Sequence, residues 1–160
     1  MDTETQDRLD RLEAIEAVRQ QIGRYALAGD RKNDPEIMTS LFTGDAIWDA
    51  KGFGRYEGRD AIVSGLSDIA RQKVLWSLHF PASPLIEIAP DRKSATAFWW
   101  LWELATLRDD DGGESSSFMG GTYEGRLVKE GEVWRFSRID LRFQTITPFK
   151  DGWNLIDTES

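Results

Sequence analysis

At Lys73 the chain changes its hydrophobic period, and that switch restricts the folds open to it. Upstream, apolar residues recur at three- and four-residue intervals. Leu9, Leu12, Ile15, Ile22 and Tyr25 mark a helix over residues 7–29, with Gly29 suited to its end. In "NDPEIMTSLF", Asp34 is placed to cap a second, short helix and Pro35 to open it. Ile62, Leu66 and Ile69 mark a third helix from Arg59 to about Gln72. "DAIWDA" reads as a short strand and "GFGRYEG" as a glycine-rich turn. Downstream, residues 74–90, 94–107, 116–128 and 132–146 read as four long strands rich in Val, Ile, Phe, Trp and Thr. The turn-type sequences "APDRKS", "RDDDGGES" and "KEGE" join them.

Helices first and a meander of strands afterwards is an α+β pattern. Its physical consequence is a cone: a curved antiparallel sheet wraps around the three N-terminal helices and leaves an apolar cavity open at one end. With no linker and no internal repeat, residues 1–160 are expected to form a single domain, with a core over 7–150 and a tail over 147–160. Alternation along "TAFWWLWEL" puts Thr96, Phe98, Trp100 and Trp102 on one face, and Ala97, Trp99, Leu101 and Glu103 on the other. Both faces carry large apolar groups. One is therefore expected to be covered by helices and the other by a second sheet or subunit.

Composition narrows the function classes. The formal charge of −8 argues against nucleic acid as a partner, because counterion displacement needs a basic surface. It also argues against acidic membranes and highly anionic substrates. No stretch is long and apolar enough for a transmembrane helix, and the acidic "MDTETQDRLD" lacks the features of a signal peptide, so the cytoplasm is the expected compartment. The absence of cysteine excludes disulfides, thiolate nucleophiles and zinc–sulfur sites. With a single histidine and no calcium-loop spacing, neither a metal nor any other cofactor is expected. "GFGRYEG" lacks the lysine–serine or lysine–threonine of a phosphate loop. Among seven tryptophans, five (Trp48, Trp76, Trp99, Trp100 and Trp102) crowd the middle third, where such rings fill a core or line a site for flat ligands.

The one histidine, His79 in "WSLHF", is where acid–base chemistry near pH 7 would have to run. The competing reading is a core histidine bonded to backbone. At this point the residues resemble a known family. "IGRYALAGDRKNDPEIMTSLFTGDAIWDAKGFGRYEGRDAI" and "FMGGTYEGRLVKEGEVWRFSRIDLRFQTITPF" are similar to the opening and closing segments of SnoaL-like proteins in the nuclear transport factor 2-like superfamily, over about residues 7–150. Within it the chain resembles scytalone dehydratase, bile-acid 7α-dehydratase and hexachlorocyclohexane dehydrochlorinase. The resemblance implies a cone-shaped, cystatin-like α+β fold and a cofactor-independent lyase whose base is an Asp–His pair.

Carried over residue by residue, the resemblance puts Asp30 of "LAGDRK" and His79 of "SLHF" in that pair. It matches Tyr25 to the dehydratases' tyrosine and Arg142 of "IDLRF" to an arginine of the bile-acid enzyme. Tyr25 would donate to a leaving oxygen or an enolate, and Arg142 would polarise the substrate. Against these stand a core tyrosine and a salt bridge to Asp140. Trp48 replaces a second tyrosine of some dehydratases. Trp48, Trp100, Trp102, Met119 and Tyr123 are the candidate pocket walls, the last four at positions where the dehydrochlorinase contacts its ligand. The expected substrate is a hydrophobic aromatic, alicyclic or steroid-like small molecule, losing water, halide or another group. The alternatives are an isomerase or a carbon–carbon lyase, such as one releasing formaldehyde from lignin-derived aryl diols, and a non-catalytic binding domain. The second apolar sheet face points to a homodimer or homotrimer.

Overall fold

The computed structural model describes residues 2–156. Helix α1 spans Thr3–Asp30 and is opened by Asp2, whose carboxylate accepts from the Thr5 amide at 2.8 Å. Its buried stripe is Ala14, Val18, Ile22, Tyr25, Ala28 and Gly29. Leu9 and Leu12, read above as part of that stripe, are exposed, because the first turns of this long helix stand clear of the core. Helix α2, Pro35–Leu41, has the expected cap: Asp34 accepts from the Glu36 and Ile37 amides. Helix α3 runs from Arg59 to Gln72.

Six strands follow or interleave with the helices: β1 Phe42–Ala50, β2 Gly54–Glu57, β3 Val74–Ile88, β4 Ser94–Arg108, β5 Glu114–Glu130 and β6 Val133–Pro148. Their order is β2-β1-β6-β5-β4-β3. The long β3–β6 meander is antiparallel throughout. The expected α+β architecture with three helices is present, with two differences in detail. Only the front of "GFGRYEG" is a turn; Gly54–Glu57 pairs antiparallel with β1 as a short edge strand. And β1 joins β6 in parallel, which makes the curved sheet mixed and unclosed.

The concave side holds the core. Trp99 stacks on Tyr123 at 4.9 Å and lies against Phe136, while Tyr25 meets Phe42, Tyr123 and Phe136 edge-on. Gly125 makes room for that indole: a Cβ there would lie 2.9 Å from the Trp99 ring. The face assignment along "TAFWWLWEL" resolves cleanly, with Ala97, Trp99, Leu101 and Glu103 inside and Trp100 and Trp102 outside. Of the tail, Phe149 and Trp153 turn back over the convex face of β5, where both rings meet Phe118; residues 157–160 lie outside the described residues. Among the described residues no helix is long and apolar enough to cross a membrane.

Candidate active site

The C-terminus of α1 runs into the side of β3. Asp30, the last residue of α1, turns its carboxylate onto that strand, and one oxygen, Oδ1, does two things. It accepts the His79 backbone N–H at 2.8 Å and sits 2.7 Å from His79 Nδ1. Because β3 is an edge strand, its outer amides have no strand partner, and the helix-terminal carboxylate supplies one. The approach is close. Gly29 leaves just enough space for the imidazole, since a Cβ at that position would lie 2.8 Å from His79 Cε1. Ser77, two residues earlier on the same strand face, donates to the Gly29 carbonyl at 3.3 Å. The ring thus lies over the negative end of a helix and against a carboxylate, both of which favour its charged form.

The other ring nitrogen faces inward. Glu103, directly opposite His79 on β4, brings Oε2 to 3.5 Å from Nε2 and is only 3% exposed. Burial pulls the imidazole pKa down, but the Asp30 hydrogen bond and the charges of Glu103 and Asp30 outweigh it, so the net direction is up from 6.5. Burial pushes the Glu103 carboxyl up as well; His79 opposes that and Asp30 adds to it.

His79 and Glu103 line a cavity of about 500 Å³, counting its open mouth. Tyr25 and Gly29 of α1, Trp48 of β1, Leu66 and Ile69 of α3, Met119 and Tyr123 of β5, and Leu141 and Phe143 of β6 form much of its wall, with the polar Asn33 and Ser77 among the rest. Phe53 and Phe143, with ring centroids 5.1 Å apart, stand together in that wall. Tyr25 is held on one side by Trp48, whose indole N–H donates to the phenol oxygen at 2.8 Å. Burial pushes the Tyr25 phenol up to about 12, tempered by the hydrogen bonds from Trp48 and Tyr123 and reinforced by the charge of Glu103. Tyr25 therefore stays a neutral donor across the physiological range.

The candidate residues separate into two groups. Asp30, His79, Tyr25, Trp48, Met119 and Tyr123 converge at or beside the cavity. Trp100, Trp102 and Arg142 do not. Trp99, Leu101 and Glu103 point inward, so the two-residue period of β4 sends Trp100 and Trp102 to the convex face, where they are 44% and 46% exposed. In β6, Leu141 and Phe143 point inward, so Arg142 points outward and pairs with Asp140 at 3.4 Å and Asp49 at 3.6 Å. That is the salt bridge weighed against its catalytic reading. The residue that sequence reasoning passed over is Glu103. Its signal was a lone carboxylate on the apolar face of "TAFWWLWEL", an arrangement that calls for a buried partner or a function. Among the described residues no group of three or more His, Asp or Glu side chains is placed to hold a metal ion.

Three helices inside a curved sheet, with a walled cavity at one end, define a cone-shaped pocket protein. The chain belongs to the SnoaL-like domain family, whose model matches residues 10–140. Among solved structures it is similar to the hexachlorocyclohexane dehydrochlorinase LinA-type3 from Novosphingobium barchaimii, with 19% identity, a TM-score of 0.80, and coverage of 93% of this chain and 98% of that one. It is also similar to a scytalone dehydratase-like protein from Novosphingobium aromaticivorans (20% identity, TM-score 0.75, 88% and 90% covered). A third is a nuclear transport factor 2-like superfamily protein from Salmonella enterica (18%, 0.72, 89% and 99%). At these identities the likeness is one of fold. No curated protein matches the sequence.

Proposed function

We propose that this chain is a cofactor-independent lyase of the dehydratase or dehydrohalogenase type, with His79 as general base and Asp30 as the residue that orients it. The observation that carries the reading is the 2.7 Å contact between Asp30 Oδ1 and His79 Nδ1 beside a cavity that His79 itself lines. Asp30 also accepts the His79 backbone amide, so an ionised carboxylate is the natural partner for an Nδ1–H. That fixes the tautomer and leaves the Nε2 lone pair on the cavity side. Removal of a proton from a substrate carbon makes an imidazolium that Asp30 stabilises without taking the proton itself. Tyr25, whose oxygen accepts from Trp48, keeps its own O–H to donate to substrate oxygen. The aromatic and aliphatic walls suit a hydrophobic aromatic, alicyclic or steroid-like molecule. The dehydrochlorinase and dehydratase neighbours support a lyase over the alternatives.

A titration of the imidazole by NMR tests the base. There is one histidine, so the signal needs no assignment. The native ring should titrate above 6.5 and Asp30→Asn should bring it down. A ring that titrates identically in both proteins would reject the pair. The same shift sets the pH dependence of turnover. The neutral base is withheld below its pKa, so kcat/KM should rise with pH along a limb centred above 6.5.

A further inference from the structure

Elimination of an oxygen leaving group needs an acid as well as a base, and with Arg142 on the outer surface the arginine expected to assist is not available. Glu103 occupies the right place. Its carboxyl group is almost fully buried, lies 3.5 Å from His79 Nε2, and lines the cavity. Among the described residues no hydrogen bond holds it; the His79 contact is longer than a good N–H···O bond and leaves both groups free to engage a substrate. The carboxyl opens onto the cavity, where a ligand entering beside His79 meets it. We infer that Glu103 is the general acid that protonates the departing oxygen, so that the site is built to expel water or an alcohol and not halide. This rests on the reading of His79 as the base.

The step balances within the pair. Nε2 takes the proton from the substrate carbon, and the C–H electron pair becomes the new C=C bond. The C–O bond breaks, and the O–H proton of Glu103 passes to the leaving oxygen. What remains is an imidazolium beside a carboxylate. Transfer of the proton from Nε2 to Glu103 restores the starting state, with no cofactor or oxidant. A halide leaves as a stable anion and gains nothing from such a donor. The acid form is the one that burial favours. The groups facing Glu103 are His79 on β3, Asp30 and Tyr25 on α1, and Tyr123 on β5. Both phenols titrate too high to supply an alkaline limb below pH 10, so one there belongs to the Glu103–His79 pair.

The test uses two single-ring probes that differ in how much their leaving oxygen needs a proton: 4-phenoxybutan-2-one and 4-(4-nitrophenoxy)butan-2-one. Glu103→Gln should lower turnover of the phenoxy probe by about 100-fold and of the nitrophenoxy probe by less than about tenfold, the range general-acid assistance spans. It should also remove the alkaline limb of the kcat/KM profile. His79→Ala should lower both probes alike. Glu103→Asp, which keeps the acid but withdraws it by one methylene, should recover part of the phenoxy turnover and guards against a folding defect. If Glu103→Gln reduces both probes equally, or neither, Glu103 is not the acid, whereas a dead His79→Ala leaves the base reading standing. If His79→Ala keeps full turnover, or the native protein acts on neither probe, the base reading fails and this inference with it.

Discussion

A methyl group at position 29 would meet the His79 ring, and that single contact separates two effects of opposite sign. Gly29 lies in the last turn of α1, where alanine should favour the helix by about 0.5–1 kcal/mol. The added Cβ would lie 2.8 Å from Cε1, 3.2 Å from Nδ1 and 3.3 Å from Nε2, and the ring cannot retreat without leaving Asp30. Overpacking of this kind costs about 1–3 kcal/mol. Gly29→Ala should therefore lower the melting temperature by a few degrees, because the clash outweighs the helix gain, and should displace the imidazole and lower turnover by at least about tenfold, the scale on which a misplaced base loses rate. Calorimetry with an NMR titration of the ring checks both halves; an unmoved titration would show that the ring has space to spare. Stability carries the same signature. The imidazole pKa is raised in the folded state, so its contribution is full below about pH 6.5, the unfolded value, and is lost as pH rises through the folded value. Denaturant unfolding at pH 6 and pH 9 should show a loss of stability that Asp30→Asn diminishes.

The tail makes a separate claim about elements. Phe149 and Trp153 stack at 4.9 Å and both meet Phe118, which in turn stacks on Trp102. The Trp153 indole N–H donates to the Ala105 carbonyl at 3.1 Å. This aromatic group covers the convex side of β4 and β5, and none of the described tail residues lines the cavity. Truncation after Pro148 should cost about 2–3 kcal/mol from lost ring burial, read by thermal unfolding, and leave affinity for a cavity ligand unchanged. A change in affinity would place the tail at the mouth instead. Much of this architecture is legible in local sequence. Caps and spacing give α2 and α3 almost to the residue, and alternation gives which side chains of β4 share a face. What local sequence lacks is anything set by distant pairing. The parallel β1–β6 contact joins segments some ninety positions apart, about the separation of Asp49 and Asp140. β2 is four residues long and opens on glycine. Which face of β4 lies inside was also hidden, because aromatics stand on both and the carboxylate that looks solvent-facing is the buried one. The same ambiguity put Trp100 and Trp102 among the pocket walls and kept Glu103 out of them.

On the scale of the molecule, those two tryptophans pose the remaining question. The convex face carries Leu78, Phe80, Leu85, Trp100 and Trp102, all exposed, with Phe80 directly across from Trp102 and Phe98 edge-on to Trp100 at 4.8 Å. A contiguous apolar surface of this kind is rare on a monomer and marks an interface. The chain carries a formal charge of −8, so two copies repel at long range while their sheet faces attract at contact. We propose that the convex face joins copies of this chain. Light scattering behind size exclusion should then report a dimer or trimer that is strengthened by added salt, since salt screens the repulsion and leaves apolar burial intact. Trp100→Glu together with Trp102→Glu should release monomers that keep the native imidazole titration, because neither ring touches the cavity. Salt that dissociates the oligomer would point to ion pairs as its glue, and a native protein that runs as a monomer would leave this face without a copy to cover it.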